Sequence, residues 1–126
     1  MTRTLTIPAR LPGLNDMIDA ARRNRYESAA MKKENTQMVA WCAKAARLPR
    51  MEQVDLIFTW YEPHRQRDKD NIMAGQKFVF DGLVEAGVLP NDGWNQVGDV
   101  THRFGVDKAN PRVEIEITDI SEIREG

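Results

Sequence analysis

Cysteine is almost missing from this chain: Cys42 is the only one in 126 residues. An intramolecular disulfide framework is therefore excluded, as is any metal cage built from several thiolates. No apolar run approaches the roughly 20 residues needed to span a bilayer. The opening "MTRTLTIPAR" has no apolar core of the signal-peptide kind, so the cytoplasm is the expected location. HExxH, GxxxxGK[ST] and GxSxG are all absent, so nothing points to a zincin, a P-loop or a serine hydrolase. Aromatic residues are scarce at 7%, and none is assigned to base stacking. Of the two histidines, His64 falls in a polar loop and His102 in a strand pattern, where packing is the commoner role. Cys42 lies on a helical face without an activating neighbour and reads as core.

Net charge is also low, at −1, but its distribution is uneven. Residues 1–50 hold ten Lys or Arg against four Asp or Glu, a balance of +6, while residues 51–126 hold eight against fifteen, a balance of −7. One basic and one acidic half suit a polyanionic partner, or else are ordinary solvated surface. With 41% hydrophobic and 29% charged residues, the chain belongs among globular proteins, and its length fits one domain spanning 1–126.

Periodicity supplies the elements. "RTLTIPA" alternates and stops at Pro8, a short strand. "RLPGLN" is a turn, after which Leu14, Ile18 and Ala21 have the spacing of a buried helical stripe, capped by Asn15 or Asp16. The helix is expected to break within "RRNRYES". A longer one follows, with Met31, Met38, Trp41 or Cys42, and Ala45 on one face, closed by Pro49. "VDLIFTWY" alternates clearly and reads as a strand. A third helix is expected from Asn71 to Ala86, stopped by Gly87. "QVGDVTHRFGV" and "VEIEIT" read as the last two strands, and 119–126 as a loose tail. The order β-α-α-β-α-β-β predicts an α/β (α+β) domain: a mixed four-stranded sheet with helices mainly on one face. The charged row Glu114, Glu116 and Thr118 suits a sheet covered on one side.

Where the second strand gives way to the third helix, the sequence reads "RQRDKDNIMAGQK". In an extended stretch Asp68 and Asp70 project to the same side and repel each other. Protonation, the neighbouring arginines or a divalent cation could offset that repulsion, and Mg²⁺ prefers carboxylate oxygens, water and phosphate. For the bare pair, a solvated acidic turn capping a helix is the commoner account. Along the helix, Asp70, Lys77 and Asp81 share one stripe, which by itself is an ordinary i, i+4 ion pair. The buried stripe is Ile72, Val79, Leu83 and Ala86, widened by Met73, Phe80 and Val84.

The stretch "RDKDNIMAGQKFVFDGLVEAGVLPNDGWNQV" resembles the RusA family of Holliday junction resolvases. The matching residues are Arg67, Asp68, Asp70, Asn71, Lys77, Asp81, Gly87 and Asp92, and the opening "TIPARLPGLN" is also similar. One departure is clear: the family lysine follows the second Asp of the Asp-x-Asp-Asn motif by four residues, whereas position 74 here is Ala and Lys77 comes three residues later. Three residues are inserted near "IMAGQ", with Gly75 marking a loosened helix start. The resemblance implies a homodimer that cuts four-way DNA junctions symmetrically with Mg²⁺. It implies that Asp68, Asp70 and Asp92 bind the metal, and that Lys77 stabilises charge on the phosphate or activates water. DNA contacts are expected from Arg22, Arg23, Arg25, Lys32 and Lys33, a dense patch suited to phosphates, and from Arg65, Arg67 and Lys69 beside the acids. A non-catalytic DNA-binding protein and a small metal-dependent phosphate-ester hydrolase stand as alternatives.

Overall fold

Eight elements build the chain in a computed structural model that describes residues 1–121: β1 (Thr2–Ile7), α1 (Leu14–Arg23), α2 (Arg25–Ala45), β2 (Val54–Glu62), α3 (Lys69–Met73), α4 (Gln76–Glu85), β3 (Val97–Val106) and β4 (Arg112–Asp119). The strands form one sheet in the order β1-β4-β2-β3. β4 runs antiparallel to both β1 and β2, whereas β3 runs parallel to β2. This is the mixed four-stranded α/β architecture and element order expected, with the third helix delivered in two pieces.

Period-2 alternation decides which face is covered. On β2, Val54, Leu56, Phe58, Trp60 and Glu62 are buried, and the residues between them are half-buried. Cross-strand register sets Leu56 opposite Ile117, Phe58 opposite Ile115 and Trp60 opposite Val113, so the buried sets coincide. Helical residues Val39, Ala43, Phe78, Val79 and Leu83 complete this core. Glu114, Glu116 and Thr118 occupy the other face, as their alternation predicts.

The helix boundaries follow from local hydrogen bonding. Gly13 is the N-cap of α1, and its N–H donates to the Asp16 carboxylate at 2.8 Å. Asp16 thus acts from the first turn rather than as the cap residue itself. Asn24 breaks the α1–α2 run and accepts from the Glu27 N–H at 2.8 Å. α2 ends before Pro49, at Arg47 with φ 56°. There Arg47 and Leu48 N–H groups donate to Lys44 and Ala43 carbonyls at 3.0 and 3.2 Å, the paired bonds of a Schellman ending. Gly87, at φ 79°, ends α4 in the same way, with Val88 N–H donating to the Leu83 carbonyl at 2.9 Å.

Two helical faces differ from expectation. α1 buries Ala20 and half-buries Met17, leaving Leu14 and Ile18 exposed, because its inner face is turned toward α2 by one residue step. α2 buries Val39, Ala40 and Ala43 against α4, while Trp41 is 71% exposed and Ala45 is exposed. A Cβ on Gly82 would lie 2.5 Å from Val39 Cβ, so the two helices meet where α4 has no side chain. The loose tail expected from residue 119 does not include 119 and 120: Asp119 closes β4 and Ile120 is buried. The rest of that expectation, 122–126, lies outside the described residues. Among the described residues, no helix is long and apolar enough to cross a membrane.

Candidate functional site

β2 buries every second residue, and that rhythm carries an acid, Glu62, onto the covered face at the strand's carboxyl end. A lone buried carboxylate is costly, and two guanidiniums meet it. Arg67 donates from Nε to Oε1 at 2.9 Å and from Nη2 to Oε2 at 3.0 Å, and Arg10 donates from Nη2 to Oε1 at 2.8 Å. Burial alone would raise the Glu62 pKa, but the hydrogen bonds and charges of Arg67 and Arg10 hold it below its ordinary value. Arg67 has further partners. Its Nη1 donates to the Leu11 carbonyl at 3.4 Å and lies 3.5 Å from Asp16 Oδ2. The sequence reading gave Arg67 a phosphate contact; the fold turns it inward, where it ties the loop 63–68 to the 10–16 turn.

Immediately after this clamp the acids appear. Asp68 is the N-cap residue of α3, with φ −67° and ψ 152°, and its carboxylate makes no capping bond. Asp70 is in the first helical turn, and its Oδ1 accepts from the Asn71 N–H at 3.0 Å. The two are therefore not the extended same-side pair expected from sequence, because the helix starts between them. Both are exposed, and neither is in an ion pair among the described residues. Asn71 faces back: its Oδ1 accepts from the Asn15 N–H at 2.9 Å, locking α3 to the start of α1. Gly13 permits that approach, since a Cβ there would lie 2.5 Å from Asn71 Oδ1.

The continuous helix expected over 71–86 is interrupted at Ala74 and Gly75. Across the break the backbone bonds tighten to i−3 spacing: Gly75 to Ile72, Lys77 to Ala74 and Phe78 to Gly75, at 3.1, 3.3 and 3.1 Å. α4 then presents Lys77 and Asp81 one turn apart, with Nζ 3.1 Å from Asp81 Oδ1. The same ammonium lies 3.9 Å from Asp92 Oδ2, so the last acid of the motif returns from the loop after α4 to the Lys77 stripe. Asp81 Oδ2 is buried without a hydrogen-bond partner. Among the described residues no three His, Cys, Asp or Glu side chains stand together as ligands for one ion, so Asp68, Asp70 and Asp92 are not gathered into a closed cage.

Around these residues the surface is cationic. His64, Arg65 and Lys69 are exposed and line a cavity of about 700 Å³, and Lys69 Nζ sits 5.3 Å from the centroid of the Phe104 ring. Arg22, Arg23, Arg25, Lys32 and Lys33 are all exposed on the end of α1 and the beginning of α2, with Arg23 3.6 Å from Glu27. His102 is half-buried and has a packing role, as expected. It accepts at Nδ1 from Trp60 Nε1 at 2.9 Å and stacks on Phe58, and burial lowers its pKa. Cys42 is half-buried, and burial pushes its thiol up, away from reactivity.

Sequence reasoning missed Glu62, Arg10 and Gly13. The signal for Glu62 was present: it continues the 54, 56, 58, 60 alternation by one further step. No family model matches the chain, and no curated protein matches it.

Proposed function

We propose that this chain is a Mg²⁺-dependent, structure-selective endodeoxyribonuclease of the RusA type, acting on four-way DNA junctions in the cytoplasm as a homodimer. The observation that carries the reading is Lys77: its ammonium lies within 3.9 Å of Asp92 and 3.1 Å of Asp81, joining residues 15 positions apart into one charged surface on the helix that follows the acid-bearing α3. The donor chemistry suits the metal. Asp68, Asp70 and Asp92 offer only hard carboxylate oxygens, and Mg²⁺ takes one or two such groups while keeping waters and substrate phosphate. When bound, the ion would polarise the phosphoryl oxygen and lower the pKa of an attacking water.

The chain's own residues would divide the remaining work. Lys77 supplies positive charge where the phosphate gains negative charge. Glu62 and Arg67 hold the loop in front of Asp68, and Asn71 fixes the pitch of α3. Arg22, Arg23, Arg25, Lys32 and Lys33 offer an extended cationic surface, which a mononucleotide would not need and DNA would. Two strands must be cut in a junction, and a two-fold dimer sets two such sites at matching phosphates.

The test is a synthetic four-way junction incubated with and without Mg²⁺, beside a linear duplex. Paired nicks that need both the metal and the branch are expected, and Asp70→Asn is expected to abolish cleavage while keeping junction binding. Junction binding without metal-dependent nicking by the wild-type chain would leave a DNA-binding protein. Turnover of mononucleotides regardless of DNA shape would leave a small phosphate-ester hydrolase.

A further inference from the structure

We propose that the cavity at the carboxyl ends of β2 and β3 is a subsite for one unstacked nucleotide of single-stranded or branched DNA, with its base on Phe104 and its phosphate among His64, Arg65 and Lys69. This rests on the nuclease reading only in making the bound strand the one presented to Asp68.

Topology creates the cavity. β2 and β3 are parallel, but their chains leave in different directions. β2 feeds the loop to α3, whereas the segment after β3 crosses the end of β2 to reach β4. That crossing is marked by the Asp107 N–H donating to the Glu62 carbonyl at 2.8 Å. Diverging connections at the carboxyl ends of parallel strands leave a crevice, the usual place for a ligand in such sheets. At about 700 Å³ the space lies within the range of small-molecule sites.

Its lining selects the ligand class. Ile72 is buried in the floor, Phe104 is half-exposed and Val106 is 50% exposed, so an apolar surface faces the opening. Beside it Arg65 and Lys69 are exposed, and among the described residues neither is in an ion pair. Of the two acids in the lining, Glu62 is matched by two guanidiniums, and the exposed Asp68 is outnumbered by Arg65 and Lys69. An aromatic face next to unpaired cations fits a flat base carrying a phosphate. Duplex DNA has no free base face, so the ligand must be an unstacked nucleotide. Lys69 already spans both halves of the cavity, its ammonium 5.3 Å from the Phe104 centroid. A base on the ring would replace that cation–π contact and release the ammonium to the phosphate.

The experiment uses the full chain carrying Asp70→Asn, without metal, and measures fluorescence anisotropy. The probes are a labelled single-stranded oligothymidylate, the matching duplex, and a four-way junction with 2-aminopurine at the branch. Phe104→Leu keeps an apolar side chain and removes the ring. It is expected to weaken single-strand and junction binding by about 5- to 150-fold while duplex affinity stays within twofold, with Phe104→Tyr restoring the loss. Equal affinities for Phe104→Leu and its parent on all three probes would overturn the subsite. So would equal losses on single strand and duplex, or competition by free deoxynucleotide at the strand's own affinity. The wild-type cleavage assay separates the two claims. Ring-dependent binding without Mg²⁺-dependent nicking sinks the nuclease reading alone, and nicking with ring-independent binding sinks the subsite alone.

Discussion

Replacing Glu62 by Gln deletes one charge at the centre of the clamp and leaves its shape nearly unchanged. Glu62 is 6% exposed and accepts three short bonds from Arg67 and Arg10. A glutamine keeps one oxygen, but its amide nitrogen meets guanidinium donors, so the two-pronged Arg67 contact cannot survive. Hydrogen bonds to charged groups are worth about 1.5–3 kcal/mol each. Breaking a buried pair by removing one partner costs about 3–5 kcal/mol. Two facts move the figure to the low end: the Arg10 side chain is 36% exposed, and Arg67 has Asp16 at 3.5 Å as a second acid. The expected loss is about 3 kcal/mol, or roughly 10 °C in Tm for a chain of this size. Urea unfolding should show a lower midpoint at unchanged slope. A double-mutant cycle with Arg67→Met should give a coupling of more than about 1 kcal/mol. The pH dependence supplies a second readout. Glu62 titrates below its ordinary value, so its stabilisation is fully present above the usual carboxyl range near about 4.3 and is lost as pH falls through the depressed folded value. Glu62→Gln should flatten that acid limb. A loss below about 1 kcal/mol, additive with Arg67→Met, would refute the view that this pair holds the loop in front of the acids.

His102 gives the opposite handle on pH. Burial lowers its pKa, so the folded state binds the proton less readily than the unfolded chain does. Its stabilisation is complete above the unfolded value of about 6.5 and drains as pH falls below it, because protonating Nδ1 ends the bond from Trp60. Tm should therefore drop between pH 7.5 and 5, and His102→Gln should remove part of that slope; an unchanged slope would show that His102 is not the responsible group. Gly82→Ala tests the α2–α4 contact. Ala gains up to about 1 kcal/mol in helix propensity, but its Cβ would sit 2.5 Å from Val39 Cβ and Cγ1, an overpacking that costs about 1–3 kcal/mol. Chemical denaturation should show net destabilisation, partly recovered by Val39→Ala; a stabilised single variant would mean that the helices separate freely.

Strand patterns were legible because burial on one face of a sheet imposes a strict two-residue rhythm, which β2 follows throughout and β4 follows from Arg112 to Thr118. Helix faces were less so. On α2 the run Met38, Val39, Ala40, Trp41, Cys42, Ala43 is apolar at every position, so periodicity alone could not decide that Val39 and Ala43 face α4 while Trp41 faces outward. Packing decides it, through Gly82, which is 39 or more residues distant in sequence. The acids themselves were readable, but their mutual geometry was not. A chain drawn as extended through 68–70 sets two carboxylates side by side, whereas a helix beginning at Lys69 separates them.

The turn "ARLPGLN" braces the acid loop, the start of α3 and the helix break. Arg10 reaches the Glu62 carboxylate, and the Leu11 carbonyl accepts from Arg67. Gly13 leaves room for Asn71, whose Oδ1 accepts from the Asn15 N–H. The same turn also meets the helix break, since a Cβ on Gly75 would come within 3.1 Å of Leu11 Cβ and 3.2 Å of the Pro12 carbonyl. A helix running straight from 69 to 85 would set Asp70 and Lys77 seven residues apart on one stripe, pointing the same way. The two-residue interruption at 74–75 changes that phase, and α4 starts afresh with Lys77 directed to Asp81 and Asp92. The change of helical phase before Lys77 thus occurs at a break packed against the turn. The acid loop, the start of α3 and the break before Lys77 all lean on residues 10–15, so a shift of that turn would move the acids and the lysine together rather than apart.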